Sequence, residues 1–240
     1  VVLEDVTQEK NLETQMARAE RMAVLGELSA GIAHEIKNPL TSLKGFAQLL
    51  PQRYASEQFR QKFTAVVNNE VDRLNQIVEG MLSFAAPKVR TFAPCEVNRV
   101  LHQVFLLVEH QCKKLNIELR RELGDDVRVH GDAYGLEQVF LNIIVNAIEV
   151  MPQGGVLSVT TVADPAANTV RVTIGDTGPG IPADLIGKIY NPFFTTKAQG
   201  TGLGLAISYR IVDEHGGLID VKSDRGTGTT FIISLPLYRE

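Results

Sequence analysis

The sequence predicts two domains of different class, an N-terminal helical hairpin and a C-terminal α+β domain. In the first part, apolar residues recur every three or four positions, which is the spacing of a helix face. The segment Ala85–Pro87 then has the composition of a linker. After it, short alternating segments are mixed with helical stretches and glycine-rich turns. That mixture is typical of helices packed on one face of a mixed or antiparallel sheet.

The composition is that of an ordinary globular chain and excludes several classes of function. The 240 residues are 44% hydrophobic and 22% charged, and the net charge is −4. With no basic block, 6% aromatic residues and no Trp, we expect no nucleic-acid partner. No apolar run reaches the roughly 18 residues that span a bilayer. Cys95 and Cys112 form no paired motif, so we expect a reducing, cytoplasmic compartment.

Two long helices are predicted in the first domain. The first carries a heptad-like seam of mostly small residues: Leu12, Met16, Ala19, Ala23, Gly26, Ala30 and Ala33. Pro51 is predicted to end this helix, and a second helix follows at about Phe59–Phe84. One hairpin offers too little partner surface to bury the apolar stripes of these helices. We therefore expect two copies to pair through residues 12–84 as a four-helix bundle.

The second domain is predicted as three helices and six short strands. The helices are expected at about Val97–Lys114, from an N-cap at Asp132 to Met151, and at Leu205–His215. The strands are expected at 116–121, 127–130, 156–162, 170–174, 218–221 and 229–235. Gly216 is the expected residue at which the last helix ends.

His34 lies in the run Ala33–Leu40, which contains the pattern His-Glu-x-x-Asn-Pro. At about 100° per residue, the apolar stripe lies roughly 200° round the helix, so His34 points away from it. Asn38 shares its face one turn later, and Glu35 lies beside it. Pro39 cannot donate to the carbonyl of Glu35, so the helix should bend or loosen there. A lone histidine here would be an ordinary solvent-facing residue, but the six-position pattern indicates a nucleophile.

Polar side chains recur along the helix predicted to end at Met151. Gln138, Asn142 and Asn146 follow one another at intervals of four residues, which places them on one face. Two carboxamides one turn apart offer uncharged oxygen ligands to a hard cation such as Mg²⁺. Because these ligands are uncharged, the positive charge of the metal remains available to attract phosphate oxygens. By itself such a stripe could equally be a solvated helix face.

Asp176 follows a predicted strand and opens the pattern Asp-x-Gly-x-Gly. An ionised carboxylate only accepts hydrogen bonds, so it suits the exocyclic amino group of adenine better than the carbonyl of guanine. Gly178 and Gly180 would let the backbone approach the base closely. The same pattern on its own is also a common turn.

A glycine-rich run stands directly before the last predicted helix. Its members are Gly200, Thr201, Gly202, Leu203 and Gly204. Glycine amides at a helix N-terminus suit a triphosphate. The run is not a dinucleotide fingerprint, because Leu205 stands where the last glycine would fall, and it is not a P-loop.

Two further segments complete the predicted nucleotide site. Asn191–Gly200 is expected to form a mobile lid in which Lys197 contacts phosphate. The turn at Gly226–Phe231 leads a strand back towards the base, where Thr229 could contact adenine. Each motif is weak or moderate alone, but the four in this order are a strong indication of an ATP site.

Together these motifs resemble a sensor histidine kinase of two-component signalling, over roughly residues 17–238. Ala33–Leu40 is similar to the phospho-acceptor motif of the dimerisation domain. The later motifs are similar to the conserved boxes of the catalytic ATP-binding domain, which has the fold of gyrase and Hsp90: Gln138–Asn146, Asp176–Gly180, Pro192–Phe194, Gly200–Gly204 and Gly226–Phe231. Asp5–Thr7 resembles the end of a PAS sensor domain.

The resemblance implies a division of the chain and roles for the first motif. Residues 1–16 would be the linker from an upstream sensor, 17–87 the dimerisation and phospho-acceptor domain, and 88–240 the catalytic domain. His34 would be phosphorylated, with Glu35 orienting the ring and assisting proton removal. Asn38 would orient a water for dephosphorylation of the partner receiver domain.

In the catalytic domain, the resemblance implies that Asn146 is a Mg²⁺ ligand. Asn142 would lie close to the phosphates as a second candidate ligand, and Asp176 would read adenine. Gln138 stands where ATP-hydrolysing relatives carry a catalytic Glu, which favours a kinase over a free ATPase. Asn191 stands where many relatives have an acidic residue.

We therefore expect an ATP-dependent protein-histidine kinase that acts as a cytoplasmic homodimer. It would pass its phosphoryl group to the receiver domain of a response regulator, and any membrane anchor would lie upstream of this chain. Two alternatives remain at this point. One is an ATPase or chaperone module of the same fold, and the other is a non-catalytic scaffold that binds a receiver and acts mainly as a phosphatase.

Overall fold

The chain divides into two compact units. The computed structural model describes residues 33, 36–85, 91–125, 127–197 and 200–239. The first unit comprises residues 1–88 with 195–203, and the second comprises 89–194 with 204–240. His34, Glu35 and the seam between Leu12 and Ala30 lie outside the described residues.

Two helices account for most of the described part of the first unit. Helix α1 spans residues 36–53, and helix α2 spans Glu57–Ala85. Ser56 supports the start of α2, because its Oγ accepts a hydrogen bond from the backbone N–H of Phe59 at 3.3 Å. The rings of Phe46 and Phe59 stack across the turn with centroids 6.2 Å apart. Neither these helices nor any other described helix is long and apolar enough to cross a membrane.

Pro51 does not end α1, so that prediction was wrong. The helix continues through the proline to residue 53 and then turns, with the N–H of Ser56 donating to the carbonyl of Arg53 at 3.0 Å. Proline removes a single N–H bond to the preceding turn, and its fixed φ is itself helical. Near a helix end few later bonds depend on that turn, so the helix persists for two more residues.

Apolar side chains remain exposed on the hairpin. Leu40 is 50% exposed, Val71 42% and Val78 47%. Val71 and Val78 are seven residues apart on α2 and therefore share one face. A single hairpin thus leaves uncovered the apolar surface that the sequence assigns to a second copy.

The second unit is built on a five-stranded mixed sheet. Its elements in chain order are β1 (Ala93–Glu96), α3 (Val97–Lys114), β2 (Ile117–Leu123), β3 (Arg128–Gly131), α4 (Ala133–Glu149), β4 (Gly155–Asp164), β5 (Thr169–Asp176), α5 (Ala183–Ile186), α6 (Gly204–Glu214), β6 (Leu218–Asp224) and β7 (Gly228–Pro236). The strand order is β2-β4-β5-β7-β6, with β2 parallel to β4 and the other pairs antiparallel. Strands β1 and β3 form a separate antiparallel pair.

One face of the large sheet is covered by helices. Side chains alternate between the two faces of a strand, and the buried side chains of β4, β5 and β7 fall on one face, the buried glycines Gly175 and Gly228 aside. Helices α3, α4 and α6 pack over that inner face and supply the other half of the core. The largest fully buried side chains on the helices are Leu101, Phe105, Leu136, Phe140, Ile143, Ile144, Ile148 and Ile211.

In the second unit, two residues predicted to cap or end a helix, Asp132 and Gly216, agree with the structure. Asp132 caps α4 by accepting the N–H of Gly135 at 3.2 Å. Gly216, with φ of +65°, follows the end of α6. The N–H of Gly217 bonds the carbonyl of Val212 at 2.9 Å, which completes the glycine-dependent helix ending that was predicted.

Candidate functional site

Three polar side chains form a row across the end of the inner sheet face. Asp176 on β5 is directly opposite Thr229 on β7, which is directly opposite Ser223 on β6. Residues opposite each other in neighbouring strands project from the same face, so all three continue the alternation of the buried apolar residues. The sheet therefore ends in hydrogen-bonding groups where the glycine-rich loops begin.

Asp176 uses one carboxylate oxygen to hold its surroundings together. Its Oδ1 accepts the N–H of Gly178 at 2.8 Å and the N–H of Thr229 at 3.2 Å. Among the described residues no donor reaches the other oxygen, Oδ2. Burial raises the pKa of Asp176, and the hydrogen bonds from the amides of Gly178 and Thr229 oppose that rise. The carboxylate is thus a fixed acceptor with one oxygen left for a ligand.

Glycines allow the loop after Asp176 and the β6–β7 turn to touch backbone to backbone. A Cβ on Gly180 would lie 2.1 Å from the carbonyl oxygen of Asp224, and one on Gly228 would lie 2.0 Å from that of Asp176. Both glycines have positive φ, +71° and +95°. The N–H of Gly226 also donates to the carbonyl of Pro179 at 2.7 Å. Side chains are excluded here, so the two backbones pack directly against each other beside Asp176.

Ser223 is a member of this site that the sequence did not single out. Its Oγ accepts the N–H of Ile181 at 2.8 Å and donates to the carbonyl of Gly228 at 2.8 Å. It also lies 3.0 Å from the Oγ1 of Thr229. A serine in a strand carries no motif of its own, and only the pairing register of β6 with β7 reveals its place.

Asn142 connects α4 to the start of α6. Its Nδ2 donates to the carbonyl of Gly204 at 3.2 Å and approaches the Oγ of Ser208 at 3.4 Å. Ser208 Oγ itself donates to the Gly204 carbonyl at 2.9 Å. These contacts direct the nitrogen of the Asn142 carboxamide towards α6, so its Oδ1 is turned away and accepts no hydrogen bond from a described residue. Asn146 lies one turn further along the same helix and is half-buried.

The structure brings part of the predicted glycine run into the second unit. Gly204 begins α6, as the sequence suggested, whereas Gly200, Thr201, Gly202 and Leu203 belong with Lys197 to the segment 195–203 of the first unit. Within that segment the backbone N–H of Lys197 donates to Thr195 Oγ1 at 3.1 Å. The N–H of Gly200 donates to the carbonyl of Lys197 at 3.3 Å.

The backbone of the second unit is strained at Phe193. Phe193 has a φ of +64°, a backbone region that bulky side chains rarely adopt. The next residue closes a turn, with the N–H of Phe194 donating to the carbonyl of Asn191 at 3.1 Å. Strain of this kind persists where the surrounding structure enforces it, often beside functional loops.

The described part of the predicted phospho-acceptor motif lies on α1. Asn38 is exposed, as the helical geometry predicted, and the helix continues through Pro39. His34 and Glu35 lie outside the described residues, so their predicted roles rest on the sequence.

Two known sequence families match the chain in succession. Residues 24–88 match the "His Kinase A (phospho-acceptor) domain". Residues 131–239 match the family described as "Histidine kinase-, DNA gyrase B-, and HSP90-like ATPase". The second match contains the Asp176 row, both asparagines of α4 and the whole of α6.

Individual relatives extend the likeness to nearly the whole chain. The solved structure of histidine kinase ThkA in complex with response regulator protein TrrA matches with a TM-score of 0.85 and 34% identity, over 98% of this chain and 68% of that one. Signal transduction histidine-protein kinase AtoS of Escherichia coli is 37% identical over 99% of this chain. Sporulation kinase E of Bacillus subtilis is 39% identical over 98% of it. The chain spans 39% and 32% of the lengths of these two relatives.

The two successive family matches and the likeness to ThkA along almost the entire chain agree with the fold described above. This chain belongs to the sensor histidine kinase family.

Proposed function

We propose that the chain is an ATP-dependent protein-histidine kinase that phosphorylates its own His34. It then transfers the phosphoryl group to an aspartate in the receiver domain of a response regulator. The observation that carries the proposal is the Asp176 row at the end of the sheet. Two backbone amides hold the Asp176 carboxylate in place as an acceptor, and the adjoining loops pack so closely that only glycine fits at Gly180 and Gly228. The same chain carries a phospho-acceptor sequence upstream.

The adenine end of the proposed site is the Asp176 row. With Oδ1 held by two amides, Oδ2 would accept a hydrogen bond from the exocyclic amino group of the base. The bare backbone at Gly178 and Gly180 would let the flat ring approach. Thr229, buried beside Asp176, would complete the hydrogen-bonding edge.

The phosphate end is proposed at the junction of α4 and α6. The donor set fits Mg²⁺, because Asn142 keeps its Oδ1 unoccupied by any described donor and Asn146 adds a second carboxamide one turn away. When bound, the metal would neutralise charge on the phosphates. The N-terminus of α6 at Gly204 would add its dipole. Lys197, Gly200, Thr201, Gly202 and Leu203 are assigned to a lid over the phosphates.

The transfer itself would need only positioning and charge neutralisation from the protein. A ring nitrogen of His34 would form a bond to the γ-phosphorus while the bond to the ADP oxygen breaks, and Glu35 would assist loss of the ring proton. Asn38, exposed on α1, would orient a water that attacks the phosphorus of the phosphorylated receiver aspartate, which releases inorganic phosphate. We assign residues 1–16 to a linker, 17–87 to the phospho-acceptor domain and 88–240 to the catalytic domain.

Two further features of the proposal concern the assembly and its location. Pairing through residues 12–84 would cover the apolar side chains that α1 and α2 leave exposed. The segment would work in the cytoplasm, where ATP is available and cysteines such as Cys95 and Cys112 stay free.

The proposal is tested by incubating the chain with Mg²⁺ and γ-labelled ATP. Protein-bound label that is labile in acid and stable in alkali is expected on the wild type and absent from His34→Gln. Added receiver domain should then remove the label from the kinase. No label on the wild type, or equal label on His34→Gln, would overturn the proposal. Rapid steady-state phosphate release that is independent of His34 would favour an ATPase module instead.

A further inference from the structure

Ser223 is the centre of a small hydrogen-bond network behind the proposed base site. Its Oγ lies 2.8 Å from the N–H of Ile181, 2.8 Å from the carbonyl of Gly228 and 3.0 Å from Thr229 Oγ1. These three contacts join the loop that follows Asp176 to the β6–β7 turn. No other described residue forms a hydrogen bond with the Thr229 hydroxyl.

Counting protons fixes the direction of each bond in this network. The amide of Ile181 can only donate and the carbonyl of Gly228 can only accept, whereas Ser223 has a single hydroxyl proton. The Ser223 hydroxyl therefore donates its hydrogen bond to the carbonyl of Gly228. The lone pairs of Ser223 Oγ remain to accept hydrogen bonds from Ile181 and Thr229. Thr229 must then donate to Ser223, so its Oγ1 offers only lone pairs on its remaining side.

The consequence is a base-facing edge made of acceptors alone. Asp176 contributes Oδ2, and the directly opposite residue Thr229 contributes Oγ1. Such an edge suits an exocyclic amino group and opposes a carbonyl at the same position of a purine. If Ser223 could not accept, the hydroxyl of Thr229 would be free to rotate and donate.

We propose that Ser223 is a positioning residue that sets nucleotide specificity. Because Ser223 accepts the hydrogen bond of the Thr229 hydroxyl, the base site selects 6-amino purines over 6-oxo purines. This rests on the proposed function, because it assumes that the Asp176 row binds the base. Ser223 would act through Thr229 and need not touch the nucleotide.

The experiment compares the affinities of the full chain for Mg·ATP and Mg·ITP, whose base carries oxygen in place of the amino group. In Ser223→Ala the preference for ATP should shrink by about five- to tenfold, largely through tighter ITP binding. Ser223→Thr keeps a hydroxyl on a strand-compatible side chain and should retain the preference. Ser158→Ala is the matched control, because that serine also donates to a strand carbonyl, at 3.2 Å, but on the other sheet face.

A double-substitution cycle separates the polarity effect from simple support of the loops. In a Thr229→Val background the effect of Ser223→Ala on the ATP to ITP ratio should vanish. An unchanged ratio in Ser223→Ala, with both nucleotides weakened equally, would overturn the proposal. If that variant fails to fold, Ser223→Cys fills the same space with a weaker acceptor and should also reduce the ratio. A wild type that binds neither nucleotide would contradict the proposed function itself.

Discussion

At the scale of single residues, Asp176 combines a structural role with the proposed role in base recognition. Its Oδ1 closes the following loop and pins the start of β7 through two backbone amides. Its Oδ2 is bonded to none of the described residues. The division of labour between the two oxygens allows a substitution to change recognition while preserving the fold.

Asp176→Asn should lower ATP affinity by at least about tenfold while leaving the fold intact. The amide oxygen can still accept from Gly178 and Thr229, but an NH₂ group replaces the acceptor at Oδ2. Calorimetric titration with Mg·ATP measures the affinity, and the thermal midpoint reports the fold. ATP binding as tight as that of the wild type would exclude Asp176 from base recognition.

ATP binding should weaken on acidification at a higher pH than an ordinary aspartate would give. Burial raises the pKa of Asp176, and the protonated carboxyl presents an O–H in place of an acceptor. Affinity is therefore lost as the pH falls through the raised pKa, and it is retained above it. Titrations carried from neutral pH down into the acidic range should show this loss in the wild type, with a flat profile in Asp176→Asn. Parallel profiles for both proteins would assign the pH dependence to another group.

The residues of the candidate site could be predicted where a local sequence motif marks them. They could not be predicted where only the pairing of two strands brings them to the site. Asp176, Asn142 and Gly180 stand in local patterns whose chemistry can be read along the chain. Ser223 lies in an unremarkable strand, and its contacts depend on the register between β6 and β7, which a single sequence does not specify.

At the scale of structural elements, two glycine-dependent loops shape the site. The loop after β5 and the β6–β7 turn pack so closely that a methyl group on Gly180 or Gly228 would overlap a carbonyl oxygen. The glycines are therefore required for the close approach of two backbones as well as for their positive φ.

Gly180→Ala and Gly228→Ala should each destabilise the chain by about 2–4 kcal/mol and impair nucleotide binding. Chemical denaturation measures the first effect and titration with Mg·ATP the second. Gly187→Ala is the matched control, because its Cβ would meet no atom within 4 Å. Its φ of −68° is also ordinary for alanine. Equal stability of all three variants would show that the two loops can separate at little cost.

Long elements were predicted well, whereas two of the short ones were not predicted. Helices α3 and α4 and the pair β4–β5 have clear periodicity over many residues, so their positions agree with the structure to within a few residues. Strand β1 and helix α5 have four residues each and were not predicted, whereas the equally short β3 was predicted at 127–130. Pro51 does not end α1, because a proline near the end of a helix removes only one of its last backbone hydrogen bonds.

At the scale of the whole molecule, the chain consists of a helical hairpin, the proposed phospho-acceptor, and an α+β unit that carries the proposed nucleotide site. The hairpin leaves Val71 and Val78 exposed on one face of α2. Exposed valines in such a repeat are expected where a second helix pair covers them. The proposed assembly is therefore a pair of hairpins, each joined to its own catalytic unit.

The double substitution Val71→Glu/Val78→Glu should convert a dimer into a monomer, because it would place charges in the proposed apolar interface. Light scattering coupled to gel filtration gives the mass of each species. Leu106→Glu is the matched control: this leucine is 76% exposed on α3 of the other unit, so the dimer should persist. A double variant that stays dimeric, or a wild type that is monomeric, would contradict pairing through this face of α2.

The central claim is that ATP held by the Asp176 site is used to phosphorylate His34. The most direct measurement is mass-spectrometric mapping of the phosphorylated residue, at alkaline pH, after incubation with Mg·ATP. We expect phosphate on His34 in the wild type, none anywhere in His34→Gln, and strongly reduced occupancy of His34 in Asp176→Asn. Phosphate on a different residue, or full occupancy of His34 in Asp176→Asn, would contradict the claim.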